Sequence, residues 1–262
     1  GKRNGAWMTS FKPQMIKLGV NERPHVSIVC NFTKPTKSKP SLLTFNEVTT
    51  LFHEFGHALH GMLANTIYPS LSGTSVYWDF VELPSQILEN WCYEEETLKL
   101  FATHYETGDI IPMELIEKIK ASSTFQEGMQ TLRQLSFGLL DMSWHGVNPS
   151  KISSVKSYEI EAFGDTSLYP DVSENCMSTS FAHIFQGGYS SGYYSYKWAE
   201  VLDADAFEYF KEKGVFNKVV ADKFKTNVLS QGGTENPMTL YKKFRGQEPK
   251  PEALLKRAGL LK

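Results

Sequence analysis

The sequence predicts a mainly α-helical fold with a minor β component on the N-terminal side of the first long helix. Three observations support this prediction. Within the first 40 residues, only residues 26–32 have the β-branched and aromatic content of a strand. From residue 44 onward, apolar residues recur at helical spacing. The sequence shows no internal repeat, low-complexity tract or change of composition that would mark a domain boundary.

The opening segment, residues 1–43, is predicted to be a loop that contains this single strand, because Gly, Pro and Lys are frequent in it. The first helix is predicted to begin after Thr44. Thr44 and Glu47 have the spacing of a capping box, in which each side chain accepts a hydrogen bond from the other residue's backbone N–H. The apolar residues that follow keep helical spacing up to Asn65, where the helix is expected to stop.

Residues 66–80 are predicted to be a loop with room for a short edge strand at residues 74–78. A second helix is predicted to open near Val81, with Pro84 in its first turn, where a missing N–H costs no helical hydrogen bond. The remaining helical patterns lie at residues 112–121, 124–144, 150–163, 189–213, 216–230, 236–244 and 250–258.

Charge and cysteine content narrow the possible functions. Lys and Arg number 27 and Asp and Glu 29, so the net charge of -2 gives no reason to expect a nucleic-acid or membrane partner. Cys30, Cys92 and Cys176 are odd in number and form no CxxC pair, which argues against a disulfide framework. A reducing, cytoplasmic location is therefore expected. The sequence has neither a membrane-length apolar run nor a signal-peptide pattern, and it starts at Gly1, so we expect a fragment or a processed product.

The strongest chemical pattern is HEFGH at residues 53–57, inside the first predicted helix. His53 and His57 are four residues apart and share one helix face, so both imidazoles can bind one Zn²⁺. Glu54 lies one step around the helix, a suitable position for a carboxylate that takes a proton from metal-activated water. HExxH also occurs by chance around ordinary histidines. Its position within a helix flanked by apolar residues favours a metal site here.

A catalytic zinc site needs a third protein ligand and an open position for water. A histidine at position 63 is excluded, because that residue is Leu63. Glu82, at the head of the second predicted helix, could reach the metal if the two helices run antiparallel. The alternative is that Glu82 is only an acidic residue near the helix N-terminus, where its negative charge interacts favourably with the positive end of the helix dipole. We prefer Glu82 as a ligand, since it completes a site that otherwise has two.

Three further polar residues share this region. Ligating histidines usually donate their second ring N–H to an oxygen. Gln86 and Glu89 lie on nearly the same helix face as Glu82, so either could orient a histidine, although both could equally be solvated. His60 faces the same way as His57, but a fourth protein ligand would close the site to water, so we interpret His60 as structural.

Residues 183–198 contain three tyrosines whose spacing predicts a shared helical stripe: Tyr189, Tyr193 and Tyr196. An aromatic stripe is typical of core packing. However, three glycines in the same segment leave room for a ligand, and buried phenols need hydrogen-bond partners. Donors at such a place could stabilise an oxyanion. The residues alone leave both interpretations open.

Together, these motifs resemble the thimet oligopeptidase family of zinc metallopeptidases, and within it the bacterial oligopeptidase A and peptidyl-dipeptidase branch. The matching segments are HEFGHALH at 53–60, SGT at 72–74, DFVELPSQ at 79–86, GGY at 187–189, YKW at 196–198, GGTE at 232–235 and FRG at 244–246. The resemblance covers the whole chain. It implies an almost entirely helical, two-lobed fold around a deep channel for short unstructured peptides, with this chain as a zincin-like catalytic lobe.

The resemblance also implies roles for individual residues. One zinc ion per chain would be bound by His53, His57 and Glu82, with Glu54 as general base. Substrate contact or oxyanion stabilisation would come from His183, Tyr189 and Tyr196, with Tyr193 as a further candidate.

The function expected from the resemblance is zinc-dependent hydrolysis of short oligopeptides. Release of C-terminal dipeptides by the same site is an alternative, for which Lys197 and Arg245 could meet the end of the substrate. A non-catalytic helical peptide-binding module is another. Family members are longer, so residues 1–262 are expected to be one catalytic domain, with an entry segment 1–43 and a helical part 44–262. The expected partner is an N-terminal portion, without which the chain should bind zinc but cleave peptides poorly.

Overall fold

The computed structural model describes residues 4–261. Residues 1–3 and residue 262 lie outside the described residues. The prediction of a fragment or processed product was based on Gly1, which is one of them. Within the described part the fold is mainly α, as predicted. Four short strands come first: β1 (Trp7–Lys12), β2 (Met15–Lys17), β3 (Val20–Glu22) and β4 (His25–Val29).

Twelve α-helices follow the strands in residues 4–261. They are α1 (Phe45–Met62), α2 (Trp78–Val81), α3 (Leu83–Glu89), α4 (Glu95–Phe101), α5 (Met113–Ser122), α6 (Glu127–His145), α7 (Val155–Phe163), α8 (Ala182–Phe185), α9 (Ser195–Lys213), α10 (Lys218–Phe224), α11 (Pro237–Arg245) and α12 (Glu252–Arg257). Of the helices predicted from residue 112 onward, the one at 216–230 is divided: α10 passes into a π-helical turn at Lys225–Leu229. The helix predicted to open near Val81 corresponds to α3, and the short helices α2, α4 and α8 were not predicted.

The strands form two antiparallel pairs. β1 pairs with β4, with Trp7 opposite Val29 and an irregularity between Ser10 and Lys12, and β2 pairs with β3. The strand predicted at 26–32 corresponds to β4, but the other three were missed. β2 and β3 have only three residues each, too few to show the alternation by which strands are recognised. β4 lies against α1, so the sheet supports the first helix.

Helix α1 begins as predicted. The Thr44 hydroxyl accepts from the Glu47 N–H and the Glu47 carboxylate accepts from the Thr44 N–H at 2.7 Å, which completes the capping box. The helix ends at Met62, shortly before the predicted stop at Asn65. HEFGH lies well inside this helix, so the four-residue spacing puts His53 and His57 on one face.

The prediction of an edge strand at residues 74–78 is wrong. The backbone N–H groups of this segment are used in local turns, with Ser75 donating to Ser72 at 3.1 Å and Val76 donating to Thr74 at 2.9 Å. A 3₁₀ turn at Pro69–Leu71 precedes them and α2 starts at Trp78. The N–H groups that a strand would offer to a neighbour are therefore already used.

The helix predicted at 189–213 begins only at Ser195, and residues 189–194 form a turn. Both oxygens of Asp141, a fully buried residue of α6, accept hydrogen bonds from this turn. The donors are the N–H groups of Ser191 at 2.9 Å and Tyr193 at 2.8 Å. Ser191 also has a positive φ of 57°, which ends regular helix geometry. Tyr189, Tyr193 and Tyr196 therefore do not share a helical stripe.

The described residues contain two apolar clusters. The larger, here called the main cluster, joins α2, α3, α9, α10 and α11 through side chains that include Phe80, Leu83, Ile87, Phe210 and Phe244. The smaller, here called the second cluster, joins α6 to α8. It consists of Phe137, Leu140, Phe181 and Ile184, with Tyr193 packed against it. The turn at 189–194 lies in the chain between α8 of the second cluster and α9 of the main cluster.

His60 is fully buried on α1, and neither of its ring nitrogens has a hydrogen-bond partner. Burial lowers the pKa of His60 to about 3, with a smaller contribution from His57. This agrees with a structural rather than a ligating histidine, and it makes folding sensitive to acid. The unfolded chain binds a proton at this side chain near pH 6.5, whereas the folded chain binds it only near pH 3. Stability is therefore lost as the pH falls from about 6.5 towards 3.

Replacing His60 with Met, an apolar residue of similar size, should remove this acid sensitivity. Measured by urea unfolding with a chelator present, the free energy of unfolding of the wild type should fall relative to His60→Met by up to about 1.4 kcal/mol per pH unit below pH 6.5. Near pH 8 the difference should reflect packing alone, about 1.5 kcal/mol or less. If the free energies of unfolding of the two proteins changed in parallel from pH 8 to pH 5, this account of His60 would be wrong.

No helix in residues 4–261 is both long enough and apolar enough to cross a membrane.

Candidate metal centre

The metal centre depends on an unusually close approach of α1 and α3. A Cβ atom at Gly56 would lie 2.2 Å from the Pro84 carbonyl oxygen and 2.5 Å from the Ser85 Cα. Both are backbone atoms, so only a residue without a side chain allows this contact. Pro84 and Ser85 lie two and three residues after Glu82 in the chain. The glycine of HEFGH therefore brings the start of α3, and Glu82 with it, to the histidine face of α1.

His53, His57 and Glu82 meet at this contact. The Nε2 atoms of His53 and His57 lie 3.3 Å and 3.2 Å from the same oxygen, Oε2 of Glu82. One ligand atom from each residue lies within 4.8 Å of the others. The two imidazole rings are 5.0 Å apart and nearly perpendicular. Three donor atoms thus converge on one point, two from α1 and one from the junction between α2 and α3.

Electrostatics within this group favour an ionised Glu82. The side chain is almost completely buried. Burial alone would raise its pKa, but hydrogen bonds from His53 and His57 hold the pKa of Glu82 well below its usual value. A deprotonated carboxylate is what a metal ligand requires.

Glu89 orients His53, one of the two possibilities that the sequence left open. The Nδ1–H of His53 donates to Oε1 of Glu89 at 2.6 Å. Burial would lower the pKa of His53, but hydrogen bonds to Glu82 and Glu89 raise it to about 10. The other possibility, Gln86, is engaged elsewhere, since its Nε2 donates to the Tyr196 carbonyl at 3.2 Å. Nε2 of His53 faces the Glu82 oxygen, and a metal ion bound there would displace the proton of this nitrogen.

Glu54 lies beside the ligands and is buried, with only 5% of its surface exposed. Its Oε2 has no hydrogen-bond partner. Burial raises the pKa of Glu54, an effect opposed by the nearby His53 and His57. A buried carboxylate with a free oxygen and a raised pKa is able to accept a proton.

These residues fit a zinc ion. The donor set of two imidazole nitrogens and one carboxylate oxygen is that of catalytic zinc sites, which keep a fourth position for water. His53 has the second hydrogen bond that ligating histidines usually make. Glu54 offers an unused acceptor next to the set.

Tyr189 reaches the same group from the turn at residues 189–194. Its hydroxyl donates to Oε1 of Glu82 at 2.5 Å, and its ring stacks on Tyr196 at 5.0 Å between ring centres. Burial raises the pKa of both phenols, and the Glu82 carboxylate raises that of each further. Both hydroxyls therefore stay protonated, as hydrogen-bond donors, at any physiological pH.

Tyr193 has a different environment from the other two tyrosines. Its ring packs against Phe137 at 5.7 Å and Phe181 at 5.1 Å, in the second cluster, and against Tyr196 at 5.1 Å. The core-packing interpretation of an aromatic stripe thus describes Tyr193, whereas Tyr189 contacts Glu82 of the candidate metal centre.

His183 lies on α8, next to the tyrosines. Its side chain is exposed, and its ring centre is 6.2 Å from those of Tyr189 and Tyr193. The structure therefore brings together all the residues for which the resemblance implied substrate contact.

Asp141 is the residue of this region that sequence reasoning missed. Besides the two N–H groups of the turn, it binds Nδ1 of His145 at 2.7 Å. It thereby fixes the backbone that carries Tyr189 and Tyr193. A signal was available: Asp141 is the single charged residue in the stretch FGLLDMSW, and a buried acid needs partners.

Lys197 and Arg245, the candidates for meeting the end of a substrate, both have partners within the chain. Lys197 pairs with Glu200 at 2.6 Å. The Arg245 Nε donates to Asp205 at 3.2 Å, and the same carboxylate oxygen accepts from Tyr241 at 2.6 Å. Arg245 is thus part of a buried network in the main cluster.

Sequence comparisons are consistent with this geometry. The profile of Peptidase family M3 matches residues 1–260. Oligopeptidase A of Salmonella typhimurium is 45% identical over 262 residues, which cover 99% of this chain and 38% of the relative. Dipeptidyl carboxypeptidase of Escherichia coli is 38% identical over 261 residues, with the same two shares of 99% and 38%.

A third relative, from Arabidopsis thaliana, is named organellar oligopeptidase A, chloroplastic/mitochondrial. It is 44% identical over 270 residues, which cover 99% of this chain and 34% of that protein. The chain therefore spans well under half the length of the curated relatives that it matches.

Proposed function

Because the chain belongs to Peptidase family M3, we propose that it is the catalytic domain of a peptidase that hydrolyses short oligopeptides with one zinc ion. The observation that carries the proposal is the convergence of His53, His57 and Glu82, with the free oxygen of Glu54 beside them. The names of the relatives, oligopeptidase A and dipeptidyl carboxypeptidase, support a peptide as the substrate.

His53, His57 and Glu82 would bind the zinc ion, which when bound supplies Lewis-acid polarisation of a water molecule and of the peptide carbonyl. Glu54 takes the proton from the attacking water with its unpartnered Oε2. It then delivers this proton to the amine that leaves. Its raised pKa suits the first transfer, because a carboxyl group that holds a proton more tightly accepts one more readily from water. Glu89 keeps His53 in the ligating orientation through its hydrogen bond to Nδ1.

Tyr189 and Tyr196 would stabilise the carbonyl oxygen as it becomes negative. Both phenols are held protonated by their burial, and Tyr189 already donates to a carboxylate at this site. Hydrogen-bond donors that are fixed before the reaction stabilise a developing charge at little reorganisation cost. His183, which is exposed beside them, would contact the substrate. Tyr193 would support the rings of His183 and Tyr196, against which it packs.

We propose internal cleavage of oligopeptides as the activity. Release of C-terminal dipeptides is the alternative, which the similarity to the Escherichia coli dipeptidyl carboxypeptidase supports. Mass spectrometry of the products of a blocked and an unblocked peptide separates the two, because a dipeptide-releasing enzyme requires a free C-terminus.

The remaining parts of the proposal concern the whole protein. We propose that residues 1–262 are one domain, and that an N-terminal portion, which the relatives have in addition, forms the other wall of the peptide channel. A cytoplasmic location and the absence of nucleic-acid and membrane partners stay predictions from the sequence.

The test combines metal analysis with peptide cleavage. We expect about one zinc per chain after purification, and cleavage of a fluorogenic oligopeptide that is much slower than that by a full-length relative such as Salmonella oligopeptidase A. The slower rate follows from the missing channel wall. A chain without zinc after gentle purification would favour the non-catalytic peptide-binding module. A rate equal to that of the relative would refute the need for an N-terminal portion.

A further inference from the structure

Asp141 is a buried carboxylate of α6 that has no ion pair with a Lys or Arg side chain in residues 4–261. Three nitrogen atoms surround it instead. Its Oδ1 lies 2.9 Å from the backbone nitrogen of Ser191 and 2.7 Å from Nδ1 of His145, and its Oδ2 lies 2.8 Å from the backbone nitrogen of Tyr193. A buried charge is costly unless it is paired or hydrogen-bonded. The carboxylate and the turn at residues 189–194 therefore depend on each other.

The turn has little that would hold it in one conformation by itself. Ser191 has a φ of 57°, in the left-handed region, which costs a residue other than glycine about 1–3 kcal/mol. Gly188 precedes the turn with a φ of +87°, and Gly192 lies within it, and both add backbone freedom. Bonds from outside the turn are therefore needed to keep it in place, and Asp141 supplies two of them to its backbone.

The position of this backbone matters because of Tyr189, which lies two residues before Ser191. The Tyr189 hydroxyl donates to Oε1 of Glu82 at 2.5 Å, so its place is defined relative to the metal ligands. A donor stabilises a developing oxyanion only from about 2.7–3.1 Å. A displacement of about 1 Å can cost a reaction about 10²-fold. A turn that relaxes by such a distance would carry the hydroxyl out of range.

We propose that Asp141 is a positioning residue for the reaction. By binding the N–H groups of Ser191 and Tyr193, it sets the place of the Tyr189 hydroxyl and so strengthens binding of the transition state rather than of the peptide. None of its hydrogen bonds goes to a metal ligand, so it acts through the turn. The inference rests on the proposed peptidase function, in which Tyr189 stabilises the carbonyl oxygen.

Glu159 of α7 provides a matched control. It is also a buried carboxylate that accepts hydrogen bonds from two backbone N–H groups, those of Met177 at 3.0 Å and Ser178 at 2.6 Å. These donors belong to a 3₁₀ turn at Met177–Thr179, which packs near the second cluster. That turn contains none of the residues proposed to bind metal or substrate. Glu159→Gln therefore removes an anchor of the same kind without releasing Tyr189.

The experiment compares two ligands on the zinc-loaded Glu54→Gln chain, on which peptides are not consumed. One is a blocked peptide, and the other is its phosphinic analogue, in which a tetrahedral phosphinate replaces the scissile amide. Their affinities are measured by calorimetry. The analogue should bind at least about 10²-fold more tightly, as transition-state analogues do.

Adding Asp141→Asn should reduce this preference by at least about tenfold and leave the affinity for the peptide unchanged. Asparagine has one carbonyl oxygen in place of two carboxylate oxygens, so one N–H group of the turn loses its acceptor. The fall should be smaller than the about 10²–10³-fold effect of removing an oxyanion donor outright. Glu159→Gln should keep the whole preference.

A double substitution separates positioning from a general structural role. Tyr189→Phe should itself lower the preference for the analogue, and Asp141→Asn added to it should lower the preference no further, because Asp141 acts through that hydroxyl. Circular dichroism and zinc content show whether each variant is folded. If Asp141→Asn does not fold, His145→Leu takes its place. It removes one contact of the carboxylate and keeps both bonds to the turn, so the preference should fall in the same direction by a smaller factor.

Three results would overturn the proposal: an unchanged preference in the folded variant, an equal loss of affinity for both ligands, or the same fall with and without the Tyr189 hydroxyl. An equal fall in Glu159→Gln would do so as well. If the Glu54→Gln chain shows no preference for the analogue at all, the peptidase function fails and this inference fails with it. A preference that survives Asp141→Asn overturns this inference alone.

Discussion

Glu54→Gln should abolish most peptide cleavage and leave zinc bound. Gln has almost the same shape as Glu but cannot take a proton from water, and general acid–base catalysis contributes about 10²–10⁴-fold to rates. Since Glu54 is not one of the three converging ligands, metal content should stay at about one per chain. The substitution also removes a buried charge without a hydrogen-bond partner at Oε2, so thermal stability should not fall. Cleavage of a fluorogenic peptide and zinc content are measured on the same preparation.

The control for this experiment is Glu117→Gln. It removes the same charge from an exposed position of α5 and should leave both readouts unchanged. The assay is run on this chain and on a longer enzyme that contains it. We propose that this chain is the catalytic part of such an enzyme. Full turnover in Glu54→Gln would end the assignment of Glu54 as the base. Loss of zinc together with activity would instead make Glu54 part of the metal site.

Gly56→Ala is expected to damage both the fold and the metal site. The added Cβ would lie 2.2 Å from the Pro84 oxygen and 2.8 Å from the Pro84 carbonyl carbon, atoms that can move only if α3 moves. Overpacking of this kind costs about 1–3 kcal/mol. A shift of α3 also moves Glu82 and Glu89 away from the histidines. Zinc affinity should therefore drop by at least about tenfold, similar to the effect of removing groups that orient ligands.

Gly128→Ala is the matched control, because a Cβ atom at this helical position of α6 would have no neighbour within 4 Å. It should be neutral or stabilising by up to about 1 kcal/mol, since Ala favours helix more than Gly. Urea unfolding and zinc titration by calorimetry report the two effects. If Gly56→Ala kept wild-type stability and zinc affinity, the close approach of the helices would not be what positions Glu82.

Local rules were enough to predict the part of the site on α1. The capping box of Thr44 and Glu47 fixes the start of the helix, and four-residue spacing then places His53 and His57 on one face. Local rules were not enough to predict the position of Glu82, because this position depends on a contact between two helices. A glycine in HEFGH was a hint of that contact, but only the structure identifies Pro84 and Ser85 as the neighbours.

The turn at residues 189–194 shows why other predictions failed. The spacing of Tyr189, Tyr193 and Tyr196 fits a helix, although the segment between them contains the weak helix formers Ser190, Ser191 and Gly192. The turn forms because Asp141, about 50 residues earlier in the chain, binds the N–H groups that a helix would have used. Likewise, Glu89 rather than Gln86 orients His53 because Gln86 is taken by the Tyr196 carbonyl on α9. Both outcomes depend on partners that are remote in sequence.

The residues of the candidate site are supported by two different apolar clusters. α3, which positions Glu82 and Glu89, is anchored in the main cluster, whereas Tyr193 and the Asp141 anchor of the tyrosine turn belong with the second. The second cluster has far fewer fully buried side chains, so its local opening costs less free energy than that of the main cluster. The turn that carries Tyr189 and Tyr193 can thus open while α3 keeps Glu82 and Glu89 in place and Tyr196 stays on α9. Under the proposed function, this separation would let a peptide enter and leave while the residues proposed to bind the metal stay in place.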